Sequence, residues 1–341
     1  MTHRDDRRTR DLRKPILHIV ALALLAGCAS PQLQVRTGES EPVRLTNEQA
    51  MMADGYRLPL RKWGDAARPT AILLALHGFN DYGNAFADLG SYLTKRGVLT
   101  YAYDQRGFGT TAQRGRWAGE DRMIADLKAL TGMLKERYPK VPLFLLGESM
   151  GGAVVMSAAA NGIGADGFVL IAPAVWSRDT MNPIQRMVLQ VAAHTLPWLE
   201  LTGSGLDIQP SDNLDMLRAL GADPLVIKGA RVDVLWGVTN VMDRAMTETD
   251  RLAGPALLLY GERDEIIPQD AFCTALARMP KEATDIRIVL YESGWHMLTR
   301  DLQGERVMAD IAAWIQNRDA PLPSGEETRA GSERLDRFCR N

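Results

Sequence analysis

The segment Gly147-Glu148-Ser149-Met150-Gly151 has the residue types and the spacing of a reactive serine placed on a sharp turn. It follows the apolar run 143–146 and opens a stretch of small residues, 150–160, that predicts a helix. A strand-to-helix turn of this kind holds the serine in a strained conformation and needs nearly side-chain-free neighbours. The free N–H groups at the helix start would then face negative charge that develops beside the serine. The pattern predicts Ser149 as a nucleophile.

A serine hydroxyl is a weak nucleophile unless a base removes its proton and an acid orients that base. The chain has five histidines, and of these His296 follows the last apolar run, which makes it the predicted base. The acid is expected just after the preceding apolar run. Asp264 is the first choice there, with Glu262 and Glu265 as alternatives.

Acyl transfer also requires two N–H donors for the oxyanion that forms at the carbonyl. The backbone N–H of Met150, directly after the serine, is the first predicted donor, and that of Phe79, in the loop after an earlier strand, is the second. His77, in the same loop, is interpreted as a structural residue that braces it by hydrogen bonds. Asp104 and Arg106, after the next strand, are interpreted as members of a charge-paired loop that buttresses the site.

The elements that must position these residues alternate along the chain. Apolar runs that predict strands lie at 71–76, 98–103, 143–146, 168–171, 256–260 and 286–291. Helical stretches lie between them, at about 85–96, 120–137, 150–160, 270–279 and 305–316. Continuous apolar strands that alternate with helices indicate a mostly parallel sheet flanked by helices. The interruption at 175–251 has no clear strand and is rich in Met, Leu and Trp, which predicts a helical cap inserted between strands.

The N-terminus has the features of an export signal. A basic head precedes an apolar run of about eleven residues, 16–26, which is too short to span a bilayer comfortably. Leu25-Ala26-Gly27-Cys28 resembles the lipobox of bacterial lipoproteins. The resemblance implies that residues 1–27 are removed and that Cys28 is lipidated. The alternatives are a plain cleaved signal and a buried N-terminal helix. With Ala29 next to the cysteine, resemblance to Gram-negative lipoproteins implies the cell envelope, at the outer membrane.

The predicted organisation after the signal has five parts. They are a linker at 28–50, a first core part at 51–174, the cap at 175–251, a second core part at 252–318 and a mobile tail at 319–341. Cys273 and Cys339 leave two possibilities open. They pair in an oxidising compartment and attach the tail to the helix that starts near Gln269, or they remain free thiols.

Composition excludes several classes of function. The chain has 341 residues, of which 46% are hydrophobic and 24% charged, as in an ordinary folded protein. The formal net charge is −2 and no basic stripe stands out, so a nucleic-acid partner is not expected. No metal-ligand cluster, phosphate-binding loop or nicotinamide fingerprint occurs, so neither a metal nor a cofactor is expected.

Five motifs in order are similar to the monoacylglycerol lipase and lysophospholipase branch of the α/β-hydrolases, which is also grouped with serine aminopeptidase-like sequences. They are His77-Gly78 and the segments 104–109, 147–152, 261–268 and 294–296. The similarity extends from about Ala53 to Asn317, and the order serine, acid, histidine is the one this fold uses. It implies an α/β-hydrolase fold with a helical cap that acts as a serine carboxylester hydrolase through an acyl-enzyme. Two departures are Glu148, where a histidine is usual, and Phe79-Asn80-Asp81 after His-Gly.

The expected substrate is a lipid-like monoacyl ester, either a monoacylglycerol or a lysophospholipid. This expectation depends on the membrane tether and on apolar cap residues, which either meet an acyl chain or simply pack the cap on the sheet. These residues are Met181, Ile184, Met187, Val188, Leu189 and Trp198. The alternatives are an aminopeptidase that holds a substrate amine with Glu148 or Glu200, a thioesterase or acyltransferase, and a catalytically silent lipid-binding lipoprotein.

Overall fold

The computed structural model describes residues 29–35, 38, 41–203, 205, 207–280, 285–329 and 331–340. The predicted signal peptide and the lipidation site at Cys28 lie outside the described residues. Within the described ranges, no helix combines the length and the apolar character needed to cross a bilayer.

The predicted strands form the parallel centre of a ten-stranded sheet. The strands of the described chain are β1 (Arg44–Leu45), β2 (Gln49–Met51), β3 (Arg57–Trp63), β4 (Ala71–Leu76), β5 (Val98–Tyr103), β6 (Leu143–Glu148), β7 (Gly167–Ile171), β8 (Glu200–Thr202), β9 (Gly229–Arg231), β10 (Ala256–Gly261), β11 (Ile286–Tyr291) and β12 (Glu327–Thr328). The main sheet has the order β1-β2-β3-β5-β4-β6-β7-β10-β11-β12. Pairs between β5 and β11 are parallel, whereas β1, β2, β3 and β12 pair antiparallel at the two edges.

Helices cover both faces of this sheet. The α-helices of the described residues, including those of the cap, are α1 (Ala87–Thr94), α2 (Glu120–Arg137), α3 (Met150–Ala160), α4 (Pro183–Thr195), α5 (Leu214–Ala222), α6 (Val232–Glu248), α7 (Gln269–Arg278), α8 (Gly304–Gln316) and α9 (Glu333–Phe338). Apolar residues of α1 and α8 join the core on one face, and those of α2, α3 and α7 join the core on the other. The predicted fold class, a mostly parallel sheet between helices, is confirmed.

Strand β4 shows why the apolar runs are continuous rather than alternating. Ile72, Leu74 and Leu76 belong to the core on one face of the sheet, and Leu73 and Ala75 belong to the core on the other. All five side chains are buried. A central parallel strand has no solvated face, so every position along it favours an apolar residue.

The region 175–251 contains the helices α4, α5 and α6, together with the antiparallel pair β8–β9. The expectation that this region contains no strand is therefore wrong. Each of the two strands has only three residues, and those of β8 are exposed. Strands this short and this exposed lack the alternation of apolar and polar residues from which a strand is predicted.

Residues 28–50 are not only a linker. Within them, β1 and part of β2 extend the edge of the sheet, where Ala50 is fully buried, and Leu33 forms an isolated bridge with Trp117. The two strands have only two and three residues, which is too few for a period-2 pattern.

The C-terminal residues 319–341, expected as a mobile tail, instead contain β12, which pairs with β11, and the helix α9. A disulfide joins Cys339 to Cys273 of α7, with 5.6 Å between the two Cα atoms. Of the two possibilities that the sequence left open for these cysteines, the structure has the bridge. The described part of the tail is therefore attached to the core by main-chain pairing and by a covalent bond.

Candidate active site

Ser149 lies on the turn between β6 and α3, with φ of 53° and ψ of −118°. A positive φ is strained for a residue with a side chain and is characteristic of functional turns. Glycine is required on both sides because a Cβ on Gly147 would lie 2.3 Å from the Gly151 carbonyl oxygen, and one on Gly151 would lie 2.2 Å from that of Leu76. The turn therefore has the geometry predicted from its sequence. The Ser149 Oγ has no hydrogen-bond partner among the described residues.

Of the three acids considered from the sequence, Asp264 is the one that is hydrogen-bonded to His296. The side chain of Asp264 is fully buried, and its Oδ1 accepts hydrogen bonds from the N–H groups of Ile266 and Ile267 at 2.8 and 2.9 Å. Its Oδ2 lies 2.8 Å from Nδ1 of His296. The alternatives are engaged elsewhere, since Glu262 pairs with Arg334 and Glu265 accepts from the backbone of Gln209.

His296 follows β11 and lies almost entirely out of solvent. Burial alone would lower the pKa of its imidazole. The charge and hydrogen bond of Asp264, helped by the charge of Glu148, outweigh that effect and raise the pKa above its usual value. With Nδ1 donating to Asp264, Nε2 is left as the nitrogen that can accept a proton. The pair has the chemistry of an oriented general base.

The predicted oxyanion donors flank the serine from two sides. Gly78 approaches it so closely that a Cβ on this glycine would lie 3.3 Å from the Ser149 Cβ. Met150 opens α3, and Phe79 follows Gly78 in the loop after β4. Within the described residues, neither the N–H of Phe79 nor that of Met150 donates a hydrogen bond. Both are therefore available to a ligand oxygen.

His77 has the structural position predicted for it. Its Nδ1 lies 2.8 Å from the Gly78 carbonyl oxygen, and its Nε2 accepts from the Gln105 N–H at 2.9 Å. Gln105 in turn donates its side-chain amide to the His77 carbonyl oxygen at 2.7 Å. Burial lowers the pKa of His77, and the ring is hydrogen-bonded at both nitrogens. It braces the loop that carries Phe79.

The predicted buttress after β5 is also present, but its two charged residues do not pair with each other. Asp104 accepts from Arg61 at 2.5 Å and from the Gly83 N–H at 3.0 Å. Arg106 is held between two carboxylates, those of Asp54 and Asp126. Asp104 thereby holds the Gly83 backbone, whereas Arg106 joins its own loop to the β2–β3 turn at Asp54 and to α2 at Asp126.

A buried charged cluster, which the sequence patterns do not predict, lies beside the serine. Arg300 donates to Asp81 Oδ2 at 2.7 Å and to Glu148 Oε1 at 3.1 Å. The one available signal was Glu148 itself. A carboxylate between a buried strand and a buried turn requires a cationic partner, although sequence does not identify which cation supplies it.

The cap contacts the loops of the site directly. Tyr82, after the Phe79 loop, donates to Asp223 at 2.7 Å, and the Ile227 N–H donates to the Asn80 carbonyl oxygen at 2.9 Å. On the other side, Ser211 donates to Asp301, five residues after His296, at 2.6 Å. Burial raises the pKa of Asp301 to about 6. The cap is therefore bonded to both sides of the site.

One face of α4 is apolar and open to solvent. Ile184, Met187, Val188 and Val191 recur at helical spacing and are each more than half exposed, as is Trp198 beyond the helix. The exposed residues do not pack the cap on the sheet, which was one of the two interpretations of this sequence pattern. That interpretation holds for Met181, which is partly buried against the core, and Leu189 is half-buried. Exposed apolar patches of this kind mark contact surfaces.

No group of three or more His, Cys, Asp or Glu side chains in the described parts of the chain is arranged to hold a metal ion.

Comparison with known proteins agrees with this architecture. The model of the Hydrolase_4 family, described as serine aminopeptidase, S33, matches residues 67–303. The chain is 29% identical over 287 residues to a human monoglyceride lipase, covering 79% of this chain and 89% of the relative. It is 24% identical over 264 residues to a monoacylglycerol lipase of Mycolicibacterium smegmatis, covering 76% and 93%.

Solved structures show the same fold. A monoacylglycerol lipase of Paleococcus ferrophilus superimposes with a TM-score of 0.65 and 25% identity, covering 76% of this chain and 98% of that one. A soluble variant of the monoglyceride lipase of Saccharomyces cerevisiae superimposes with a TM-score of 0.66 and 20% identity, covering 86% and 99%. The chain therefore belongs to the Hydrolase_4 family and is a serine ester hydrolase of the monoacylglycerol lipase-like branch of the α/β-hydrolases.

Proposed function

We propose that the protein hydrolyses monoacyl lipid esters, monoacylglycerols or lysophospholipids, through an acyl-enzyme on Ser149. The observation that carries this proposal is the Asp264–His296 hydrogen bond of 2.8 Å at the same edge of the sheet as a serine held at positive φ. The backbone N–H groups of Phe79 and Met150, which donate to no other described residue, complete the set of groups that acyl transfer requires.

In the first half of the reaction, the Ser149 Oγ attacks the ester carbonyl carbon while Nε2 of His296 takes its proton. Asp264 holds the imidazole in the tautomer that leaves Nε2 free and stabilises the imidazolium that forms. The N–H groups of Phe79 and Met150 donate to the oxyanion. The carbon–oxygen bond to the alcohol then breaks, and His296 returns the proton to the leaving oxygen.

In the second half, a water molecule attacks the acyl-enzyme and gives its proton to His296. The tetrahedral intermediate collapses, the fatty acid leaves, and Ser149 recovers its proton. Because His296 acts as a base, it must be neutral at the start, so activity should rise as the pH passes upward through its raised pKa.

Several observations support a lipid-like substrate. The relatives of this chain include proteins named monoacylglycerol lipase. The exposed apolar face of α4 would contact the surface of a micelle or a bilayer in which such substrates are dispersed. A lipidated Cys28 would keep the enzyme at such a surface.

The aminopeptidase alternative is less well supported. It needs an unpaired carboxylate to bind the substrate's amino group, and Glu148 is buried and already ion-paired with Arg300. Glu200, the other acid considered, lies exposed on β8 of the cap. These contacts favour an ester substrate over an aminoacyl amide.

A substrate panel tests the proposal. We expect the purified protein to release fatty acid from 1-monoacylglycerol or lysophosphatidylcholine, and to cleave aminoacyl amides at least about 100-fold more slowly. Acyl thioesters in the panel test the thioesterase alternative, and added alcohol acceptors test acyl transfer. Cleavage confined to the amides or to the thioesters would contradict the proposal.

The apolar face of α4 provides a matched variant for the same panel. Met187→Gln combined with Val188→Gln should lower the rate on micellar long-chain esters several-fold and leave a short soluble ester unaffected. Val35→Gln is the control, because Val35 is also exposed and apolar but lies on the N-terminal segment beside Gln113. Equal losses on short and long esters would assign these α4 residues to folding alone.

We also propose that the protein is held in the cell envelope by a lipid on Cys28. Burial of acyl chains contributes about 0.8 kcal/mol per CH₂, so two or more chains hold a protein firmly to a bilayer. Palmitate labelling in a bacterial host should mark the wild type and a Cys273→Ser control, whereas Cys28→Ser should be unlabelled and misprocessed. A mature protein that carries no label and is released by salt alone would contradict this anchor.

A further inference from the structure

A buried guanidinium lies where three loops of the candidate site meet. Nη1 of Arg300 donates to Asp81 Oδ2 at 2.7 Å, and Nη2 donates to both carboxylate oxygens of Glu148, at 3.1 and 3.3 Å. The exposed fractions of the three residues are 9% for Arg300, 5% for Asp81 and 1% for Glu148. The cluster is therefore an interior feature rather than a surface ion pair.

Each member of the cluster belongs to a different part of the catalytic machinery. Asp81 lies two residues after Phe79, and its N–H donates to the Gly78 carbonyl oxygen at 3.3 Å. Glu148 directly precedes Ser149, and Arg300 lies four residues after His296. One side chain thus links the loop of the oxyanion donor, the turn of the nucleophile and the loop of the base.

The backbone of Arg300 is fixed as well as its side chain. Its N–H donates to the Met297 carbonyl oxygen at 2.7 Å, and its carbonyl oxygen accepts from the side chain of Asn213, in the cap, at 3.0 Å. Because the Arg300 backbone is fixed, its guanidinium holds the carboxylates of Asp81 and Glu148 at a set distance from the His296 loop. Planar, forked donors are suited to this, because one Arg can bond two carboxylates in a fixed geometry.

Stability alone does not account for such a cluster. Three charged groups are costly to bury, and apolar replacements of buried ion pairs are often neutral or stabilising. Misplacement of reacting groups by about 1 Å, in contrast, can cost on the order of 100-fold in rate. The geometry therefore indicates that the cluster keeps the three loops of the site in fixed positions relative to one another.

We propose that Arg300 is a positioning residue that, through Asp81 and Glu148, holds the Phe79 loop, the Ser149 turn and the His296 loop in register. Glu148 has a second effect, because it is a charge near the base. The charged groups that act on His296 are Asp264 and Glu148, which raise its pKa, and Arg300, which lowers it. Glu148, which stands before Ser149 where the resembled family usually has a histidine, thereby helps to position Ser149 and His296.

The inference rests on the proposed function and is tested on a short soluble ester, so that cap effects do not enter. Arg300→Met should lower kcat on the order of 100-fold with a much smaller change in KM. Arg300→Lys keeps the charge but not the forked geometry, and should recover part of that loss. If Arg300→Met does not fold, the test depends on Arg300→Lys and on Glu148→Gln.

The pH profile separates positioning near the base from a purely structural role. Glu148→Gln keeps an acceptor for Arg300 but removes a negative charge that stabilises protonated His296. The pKa of His296 should fall, so the acid limb of kcat/KM should move to lower pH. A residue that only supported folding would leave this limb in place.

Arg287→Met is the matched control. Arg287 forms a bidentate pair with Glu327 near the start of β11, at the opposite end of the strand from His296. It should lose thermal stability while keeping kcat and the pH profile of the wild type.

The outcomes are distinguishable. A wild type that hydrolyses the ester, with folded Arg300 variants within about twofold of its kcat and an unmoved acid limb in Glu148→Gln, would overturn this inference alone. A folded wild type inert to every ester and to a serine-directed phosphonate would overturn the proposed function and, with it, the inference.

Discussion

Ser149→Ala is expected to lower kcat on a soluble ester by a factor on the order of 10⁶, and His296→Ala by a comparable factor. The two losses are similar because the serine and its base act as one unit, so that removal of either abolishes the covalent route. Substrate binding should persist, since the oxyanion donors and the cap are unchanged. Steady-state kinetics with a chromogenic short-chain ester measure both variants.

Ser157→Ala is the control for the loss of a nearby hydroxyl, from the helix that directly follows Ser149. Ser157 lies on α3 and is fully buried, and its Oγ has no partner among the described residues. Its replacement should leave kcat close to that of the wild type. A Ser149→Ala variant that retains more than about 1% of the activity would show that the ester is cleaved by another route.

Asp264→Asn is expected to lower kcat by about 10⁴ through the wrong tautomer of His296. Oδ1 of Asp264 accepts from two backbone N–H groups, so the amide NH₂ would occupy the position of Oδ2, opposite Nδ1 of His296. The histidine would then have to accept there and carry its proton on Nε2, where it can no longer act as the base.

Glu262→Gln and Glu265→Gln are the controls for the choice of acid. These carboxylates lie within two residues of Asp264 but contact Arg334 and the Gln209 backbone instead of His296. Both variants should keep at least half of the wild-type kcat. Loss of activity in either one, with normal activity in Asp264→Asn, would show that the acid is wrongly assigned.

The central sheet could be predicted closely from the sequence because its strands are buried on both faces. The runs 71–76, 98–103 and 286–291 coincide with β4, β5 and β11 as observed. Short edge strands such as β1 and β12 could not be predicted, because two residues give no periodicity and their pairing depends on the partner strand.

In the candidate site too, local sequence predicts some residues, whereas others depend on contacts between distant parts of the chain. Ser149 could be predicted because its motif needs glycine at fixed local positions, a requirement that acts over five residues. The choice of Asp264 among three nearby acids could not be fixed by sequence, since it depends on which carboxylate points at His296. The link between Glu148 and Arg300 joins positions 152 residues apart, and no local pattern specifies such a contact.

The most direct test of the account is covalent labelling of the folded protein with a fluorophosphonate, followed by peptide mass mapping. An activated serine attacks the phosphorus and retains the phosphonyl group, irrespective of which ester is the natural substrate. We predict one label per chain, on the peptide that contains Ser149, absent in Ser149→Ala and formed far more slowly in His296→Ala. A folded, ester-cleaving protein that carries no label, or carries it on another residue, would contradict the account.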